Sequence, residues 1–228
     1  MLLTLRLEDD NGRFDFPVNR VINGGYSGRD RAAVMAHVEE LEREGIPPPT
    51  ETPVFFAIPR DRMTLGDSIE VYGDKTSGEV EYVLLLSGGR MWVGVGSDHT
   101  DRELERLDIP ASKRITPNVM ASRVWSYNDI KDHWDQVVIR SWTGRGRKTM
   151  YQEAALSLIL TPGDLLEHMK RHVTGSLEGA VVYSGTVAAL AKEGLGVSDY
   201  FEFEMEDPIR NRRIQGAYAI QKIDWFRG

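Results

Sequence analysis

Residues 79–98, EVEYVLLLSGGRMWVGVGSD, limit what this chain can fold into more than any other stretch. Glu79 to Leu86 is short, apolar and rich in aliphatic residues, as a strand requires. Ser87-Gly88-Gly89-Arg90 reads as a tight hairpin turn, because two glycines supply positive φ at both central positions. A two-residue turn pairs Ser87 with Arg90, and counting back sets Glu81 opposite Gly96 and Glu79 opposite Asp98. Directly opposed residues share a face, as do residues two apart on one strand. Glu79, Glu81 and Asp98 therefore converge on one side of the hairpin, with Gly96 leaving room between them. Like charges so placed repel, and burying them unpaired costs more. Two arrangements relieve this: a face turned to water or to basic side chains, or a hard divalent cation held by three oxygen ligands.

The remaining chain supplies mostly strands. Leu3, Leu5 and Leu7 alternate, Asn11-Gly12 signals a turn, and Phe14, Phe16 and Val18 alternate again. Ser27 and Asp30 start a helix with a Val34, Val38 and Leu41 stripe, ended by Gly45 and three prolines. His37 borders that stripe, and Glu40 lies three residues on, within reach of the imidazole. The pair is either a surface contact or a general base held by a carboxylate. Thr161-Pro162-Gly163-Asp164 opens a second helix. Glu202, Glu204 and Glu206 alternate with Phe201, Phe203 and Met205 and read as a solvated face. About ten strands against two helices indicate one α+β domain built on β-sheets. Its boundaries are 1–228, with an opening hairpin segment over 1–24 and the core over 25–228.

Composition narrows the function. The chain has 228 residues and no cysteine, which excludes disulfides, thiolate zinc sites and a cysteine nucleophile. A net charge of -7 argues against nucleic acid as a partner. No basic, apolar leader or membrane span is evident in the sequence, so the expected location is the cytoplasm.

Taken together, these pieces resemble the fumarylacetoacetate hydrolase superfamily, and more closely a prokaryotic branch catalogued as a domain of unknown function. The resemblance runs from about Gly25 to Tyr218. Gly78-Glu79-Val80-Glu81 is similar to the family's metal-binding E-x-E strand, and Gly96 to Leu104 to its N-D-x-S-A-R-D-L segment. Ala111-Ser112-Lys113 sits where the family has its G-K-S lysine, and Ser184-Gly185-Thr186 resembles its T-G-T turn. Gly25-Tyr26 and His37 to Glu40 resemble the N-Y segment and the catalytic H-x-x-E dyad.

The resemblance implies a mixed β-roll or β-sandwich, a homodimer, and Mg²⁺ or Mn²⁺ on Glu79, Glu81 and Asp98. It implies His37, Glu40 and Lys113 as catalytic groups, and Tyr26, Arg102 and Thr186 as contacts to a 2-oxo or 1,3-dicarbonyl acid. Hydrolysis of a C–C bond leads. Decarboxylation, hydration and tautomerisation use the same constellation, and a non-catalytic metabolite-binding module is the alternative of another class. Departures fall around the substrate: Gly25 replaces an asparagine, the Tyr26–His37 spacing is long, the segment after Lys113 loses S-F-D, and the N-T pair near Gln152 is absent.

Overall fold

The computed structural model describes residues 3–43, 47–190 and 197–225; the Leu41 side chain and Gly45 lie outside that set. The chain opens with β1 (Leu3–Asp9), β2 (Gly12–Val18), β3 (Arg20–Gly25) and α1 (Arg31–Arg43). β4 (Val54–Ile58), β5 (Met63–Thr64), β6 (Ser68–Val71) and β7 (Thr76–Ser77) lead to the long hairpin β8 (Val80–Ser87) and β9 (Arg90–Asp98). Then come β10 (Thr100–Asp101), α2 (Arg102–Glu105), α3 (Ile109–Ile115), β11 (Asn118–Met120), β12 (Trp125–Ser126), β13 (Val138–Thr143) and β14 (Thr149–Ala155). α4 (Pro162–Met169), β15 (Ala180–Tyr183), β16 (Tyr200–Asp207) and β17 (Arg212–Lys222) complete it.

Two sheets carry the fold. The larger runs β4-β3-β15-β8-β9-β11-β5 with β12 on β9, and the smaller runs β14-β13-β16-β17-β6. Parallel pairs (β3 with β15, β5 with β11, β6 with β17) sit among antiparallel ones, giving a mixed β-roll of the α+β class.

The hairpin β8–β9 is covered on both faces, which explains its nearly continuous apolar run. Val80, Tyr82 and Leu84 pack with Phe201, Phe203 and Tyr218 of the smaller sheet. Val83, Leu85 and Trp92 pack on the other face with Leu5, Leu7, Phe16 and Val18 of the opening hairpin. Glu81 alternates with Tyr82 and so belongs to this second face. β3 does not extend the opening hairpin; it pairs with β4 and β15 in the larger sheet.

The register counted from the turn is the one observed: Ser87 pairs with Arg90 and Glu81 with Gly96. The Asp98 amide continues it by donating to the Glu79 carbonyl at 3.1 Å. Gly88 and Gly89 both take positive φ, 57° and 69°.

Other expectations are corrected. The first turn centres on Asp10-Asn11, one residue earlier than Asn11-Gly12, because Asp9 pairs with Gly12. Asp30, not Ser27, caps α1, its Oδ1 accepting from Ala32 and Ala33 N–H. Glu204 is buried, so the 202–206 face is not simply solvated: Arg140 bridges Glu204 (3.2 Å) and Glu206 (2.5 Å). Helix α3 was not foreseen, although Asp108 caps it through Ala111 N–H and Pro110 occupies its first turn.

Space at Gly96 is not left for the carboxylates. A Cβ there would lie 2.5 Å from the Val119 carbonyl oxygen and 2.9 Å from the Tyr183 ring. Backbone cannot give way as a flexible side chain can. Gly96→Ala should therefore lower stability by about 1–3 kcal/mol, read as a lower denaturation midpoint at unchanged slope. An unchanged midpoint would mean that β11 is not packed this closely.

Candidate metal centre

Glu79, Glu81 and Asp98 each offer an oxygen within 4.8 Å of the other two. The hairpin register alone accounts for this, since Asp98 lies opposite Glu79 and diagonal to Glu81. Glu81 and Asp98 are completely buried, and Glu79 is nearly so. One oxygen of each buried carboxylate is bonded. Gly185 N–H donates to Glu81 Oε2 at 2.8 Å, and Lys113 Nζ donates to Asp98 Oδ2 at 2.5 Å. The other two, Glu81 Oε1 and Asp98 Oδ1, are buried without a partner among the described residues. Buried carboxylate oxygens left this way cost several kcal/mol unless something positive binds them.

Lys113 reaches the cluster from α3. Its Nζ lies 3.1 Å from Glu79 Oε2 as well as against Asp98. Arg102, the first residue of α2, donates from one nitrogen to Glu79 Oε1 and Glu105 Oε2, both at 2.8 Å, and through Nε to Ser77 at 2.7 Å. When all are ionised, these four carboxylates carry two more charges than Lys113 and Arg102 can cancel. A divalent cation balances that excess. The set is all oxygen, which suits Mg²⁺ or Mn²⁺ rather than a soft metal. The residues present therefore fit the expected ion.

The pKa directions follow. Burial would raise Glu79, but Lys113 and Arg102 outweigh it and hold the carboxyl at about 2. Burial, reinforced by Asp98, pushes Glu81 well above the ordinary range. Burial lifts Asp98 to about 6 against the pull of Lys113. Burial opposes charge on Lys113, yet Asp98 and Glu79 keep it protonated and above its usual range.

Of the remaining expected site residues, Tyr26 lies beside the cluster. Burial and the Glu105 charge raise its hydroxyl pKa, and Lys113 and Glu79 also act on it. Thr186 is committed to structure: its hydroxyl donates to the Val80 carbonyl at 2.9 Å and accepts from Gln152 Nε2 at 2.8 Å. His37 and Glu40 stand apart. They lie 3.6 Å from each other on α1 with side chains 59% and 66% exposed, and neither has a hydrogen bond or ion pair to the carboxylates. Val38 is the only buried side chain of α1 among those described.

Several contributors were not read from the sequence. Buried Gln152 accepts from Val80 N–H and Ser141, and donates to Thr186 and the Val187 carbonyl. It thereby fastens the Ser184–Thr186 loop, whose amide holds Glu81. Glu105 follows Arg102 by three residues on α2, a spacing that flags the contact. Asn23 and Asn118, both fully buried, bond to each other at 2.6 and 3.3 Å, and Asn118 is paired with Asp98 across the strands.

Protons on Glu81 and Asp98 must leave before a cation binds. Apparent affinity therefore falls as pH drops through about 6. Mn²⁺ binding measured by calorimetry should weaken by about tenfold or more from pH ~7 to pH ~5, with proton release in the lower range. Metal-free protein should show the opposite trend. Raised carboxyl pKa values add stability below the unfolded values, and that stability is lost as pH rises past about 6. Binding independent of pH over this span would place the ion elsewhere.

With this geometry in place, comparison with known proteins is informative. A family described as "Protein of unknown function (DUF2848)" matches residues 24–218. No curated protein matches. Among solved structures, a putative fumarylacetoacetate isomerase/hydrolase from Oleispira antarctica superposes with a TM-score of 0.67 at 17% identity, over 94% of this chain and 98% of that one. A fumarylpyruvate hydrolase from Pseudomonas aeruginosa, in complex with Mn²⁺ and pyruvate, gives 0.64 at 17% identity, over 97% and 96%. A 2-keto-3-deoxy-D-arabinonate dehydratase complexed with magnesium and 2,5-dioxopentanoate gives 0.65 at 16% identity, over 93% and 77%. These structures share the fold. With the matched residues spanning most of its length, the chain belongs to the DUF2848 family and has the fold of the fumarylacetoacetate hydrolases.

Proposed function

We propose that this protein is a divalent-metal-dependent enzyme acting on a 2-oxo or 1,3-dicarbonyl acid. The observation that carries the reading is the pair of buried, unpartnered oxygens, Glu81 Oε1 and Asp98 Oδ1, converging with Glu79. Proteins of the same fold have been captured with Mn²⁺ and pyruvate, and with magnesium and 2,5-dioxopentanoate, which supports both ion and substrate class. Glu79, Glu81 and Asp98 would hold Mg²⁺ or Mn²⁺. A bound ion supplies Lewis acidity toward a substrate carbonyl.

The chain's own groups do the rest. Lys113 places a fixed positive charge where an enolate oxygen would gain negative charge. Arg102 fixes Glu79, and the Gly185 amide fixes Glu81, so two of the carboxylates are oriented before anything binds. Tyr26 and the Ser184–Thr186 loop would border the space a substrate enters.

The bond broken depends on His37. C–C hydrolysis needs a base at the attacking water, and His37 oriented by Glu40 is the candidate. Its exposure on α1 favours reactions that need no activated water, namely decarboxylation or tautomerisation. Hydrolysis is the second reading, supported by the hydrolases among proteins of this fold.

Mg²⁺ or Mn²⁺ titrated into chelator-treated protein should bind near-stoichiometrically. Glu81→Gln should weaken binding beyond the roughly 10–100-fold typical of outer-shell changes. Unaltered affinity would remove Glu81 from the ligand set. Under the lead reading, His37→Ala leaves oxaloacetate decarboxylation unchanged, whereas a role as base would cost hydrolysis about 10²–10⁴-fold. Metal-dependent binding of 2-oxo acids with no turnover would instead indicate a metabolite-binding module.

A further inference from the structure

Beside the carboxylate cluster lies a cavity of about 350 Å³, ringed by Tyr26, Pro48, Pro49, Phe56, Ile109 and Pro110. Its size falls within the range of small-molecule sites. Two features join it to the cluster. Glu105 lines the cavity and shares one Arg102 nitrogen with Glu79. Ile109 and Pro110 belong to α3, the same short helix that carries Lys113.

The charges around this cavity are one-sided. Among the described residues, its lining includes Glu105 and Asp108 but no lysine, arginine or histidine. Both acids are already engaged. Glu105 accepts from Arg102, and Asp108 Oδ1 accepts from Ala111 N–H as the cap of α3. An anionic tail placed here would meet two carboxylates and, among the described lining residues, no cation. A cationic tail would have to share Glu105 with Arg102 and Asp108 with the α3 cap, and would give up its own hydration to do so. An uncharged apolar tail loses only water.

We infer that the cavity is the tail subsite for the acid processed at Glu79, Glu81 and Asp98, and that it selects an uncharged, apolar substituent up to the size of an aromatic ring. The inference rests on the metal-site reading above and adds the class of substrate. Tyr26, at the boundary, would separate the polar head from the apolar tail.

Calorimetry on Mn²⁺-loaded protein tests it with four probes. Oxalate carries the head alone. 4-Phenyl-2-oxobutanoate, 2-oxoglutarate and 5-guanidino-2-oxopentanoate carry apolar, anionic and cationic tails. The phenyl compound should bind at least about tenfold more tightly than either charged one, which is no more than full burial of an aromatic ring contributes. Phe56→Ala should erase most of that preference and leave oxalate affinity unchanged. Leu107, on the rim and 82% exposed, gives a variant with little risk to folding. Leu107→Arg should raise 2-oxoglutarate affinity and lower that of the phenyl compound.

Tightest binding of 2-oxoglutarate or of the guanidino acid, with oxalate bound, would overturn the apolar subsite and leave the metal-site reading intact. Failure of oxalate to bind would overturn the metal-site reading, and the subsite would fall with it.

Discussion

Three carboxylates buried against one another are the constraint to which the rest of this structure answers. At 4.8 Å and an effective dielectric near 20, each ionised pair repels by about 3–4 kcal/mol. Several such pairs would use up a large part of a domain's ordinary stability. The surroundings answer with fixed positive charge and dipoles. Lys113 sits between Glu79 and Asp98, Arg102 holds Glu79, and the Gly185 amide points at Glu81. Each comes from a different segment, so α2, α3 and the Ser184–Thr186 loop are drawn to one end of the hairpin. The compensation is incomplete, because one oxygen each of Glu81 and Asp98 has no partner among the described residues. A site left this way takes up protons when empty, which is why the pKa values of Glu81 and Asp98 are raised, and has the oxygens to hold a cation in their place.

Rigidity of the site comes from the placement of β8 and β9 between two cores. One face is filled by the aromatic residues of β16 and β17, the other by the opening hairpin. Neither strand can twist without disturbing both. Polar bonds continue this packing to the edge of the site: Ser97 accepts from Glu79 N–H and bonds Tyr218, which also bonds His99. Gln152 performs the same service on the other side, satisfying all its hydrogen-bonding capacity while tying β8, β13 and the Thr186 loop together. These contacts explain why the carboxylates do not turn away from one another.

What was legible in the sequence follows from the range of the physics. The carboxylate cluster was readable because strand periodicity and a two-residue turn are local rules, and together they fix a register over 20 residues. Asp98 could be placed opposite Glu79 without knowing anything distant. The capped start of α4 was readable for the same reason, Thr161 accepting from Asp164 N–H as expected. Lys113 was placed by resemblance alone, although Asp108 and Pro110 mark the start of its helix. Gln152 and the Asn23–Asn118 pair were beyond local reading, since their partners, apart from Ser141 on the strand paired with Gln152, lie 34 to 95 residues away. Gly96 was misread because its close neighbours, Val119 and Tyr183, arrive from strands that the hairpin alone does not specify.

Helix α3 joins the apolar cavity to the carboxylate cluster. Its first turn forms part of the apolar cavity, while one turn later Lys113 lies among the carboxylates. Asp108, which caps the helix, also lines the cavity. A substituent pressing on Ile109 or Pro110 would therefore act on the same rigid turn that positions the Lys113 ammonium. Helix α1, with His37, has no comparable tie: among its described side chains only Val38 is buried. Binding energy from the tail can thus align Lys113 directly, whereas it reaches His37 only by bringing α1 closer. In the proposed enzyme, substrate choice would be tied most tightly to the charge placed to stabilise an enolate, and less tightly to any step that depends on water.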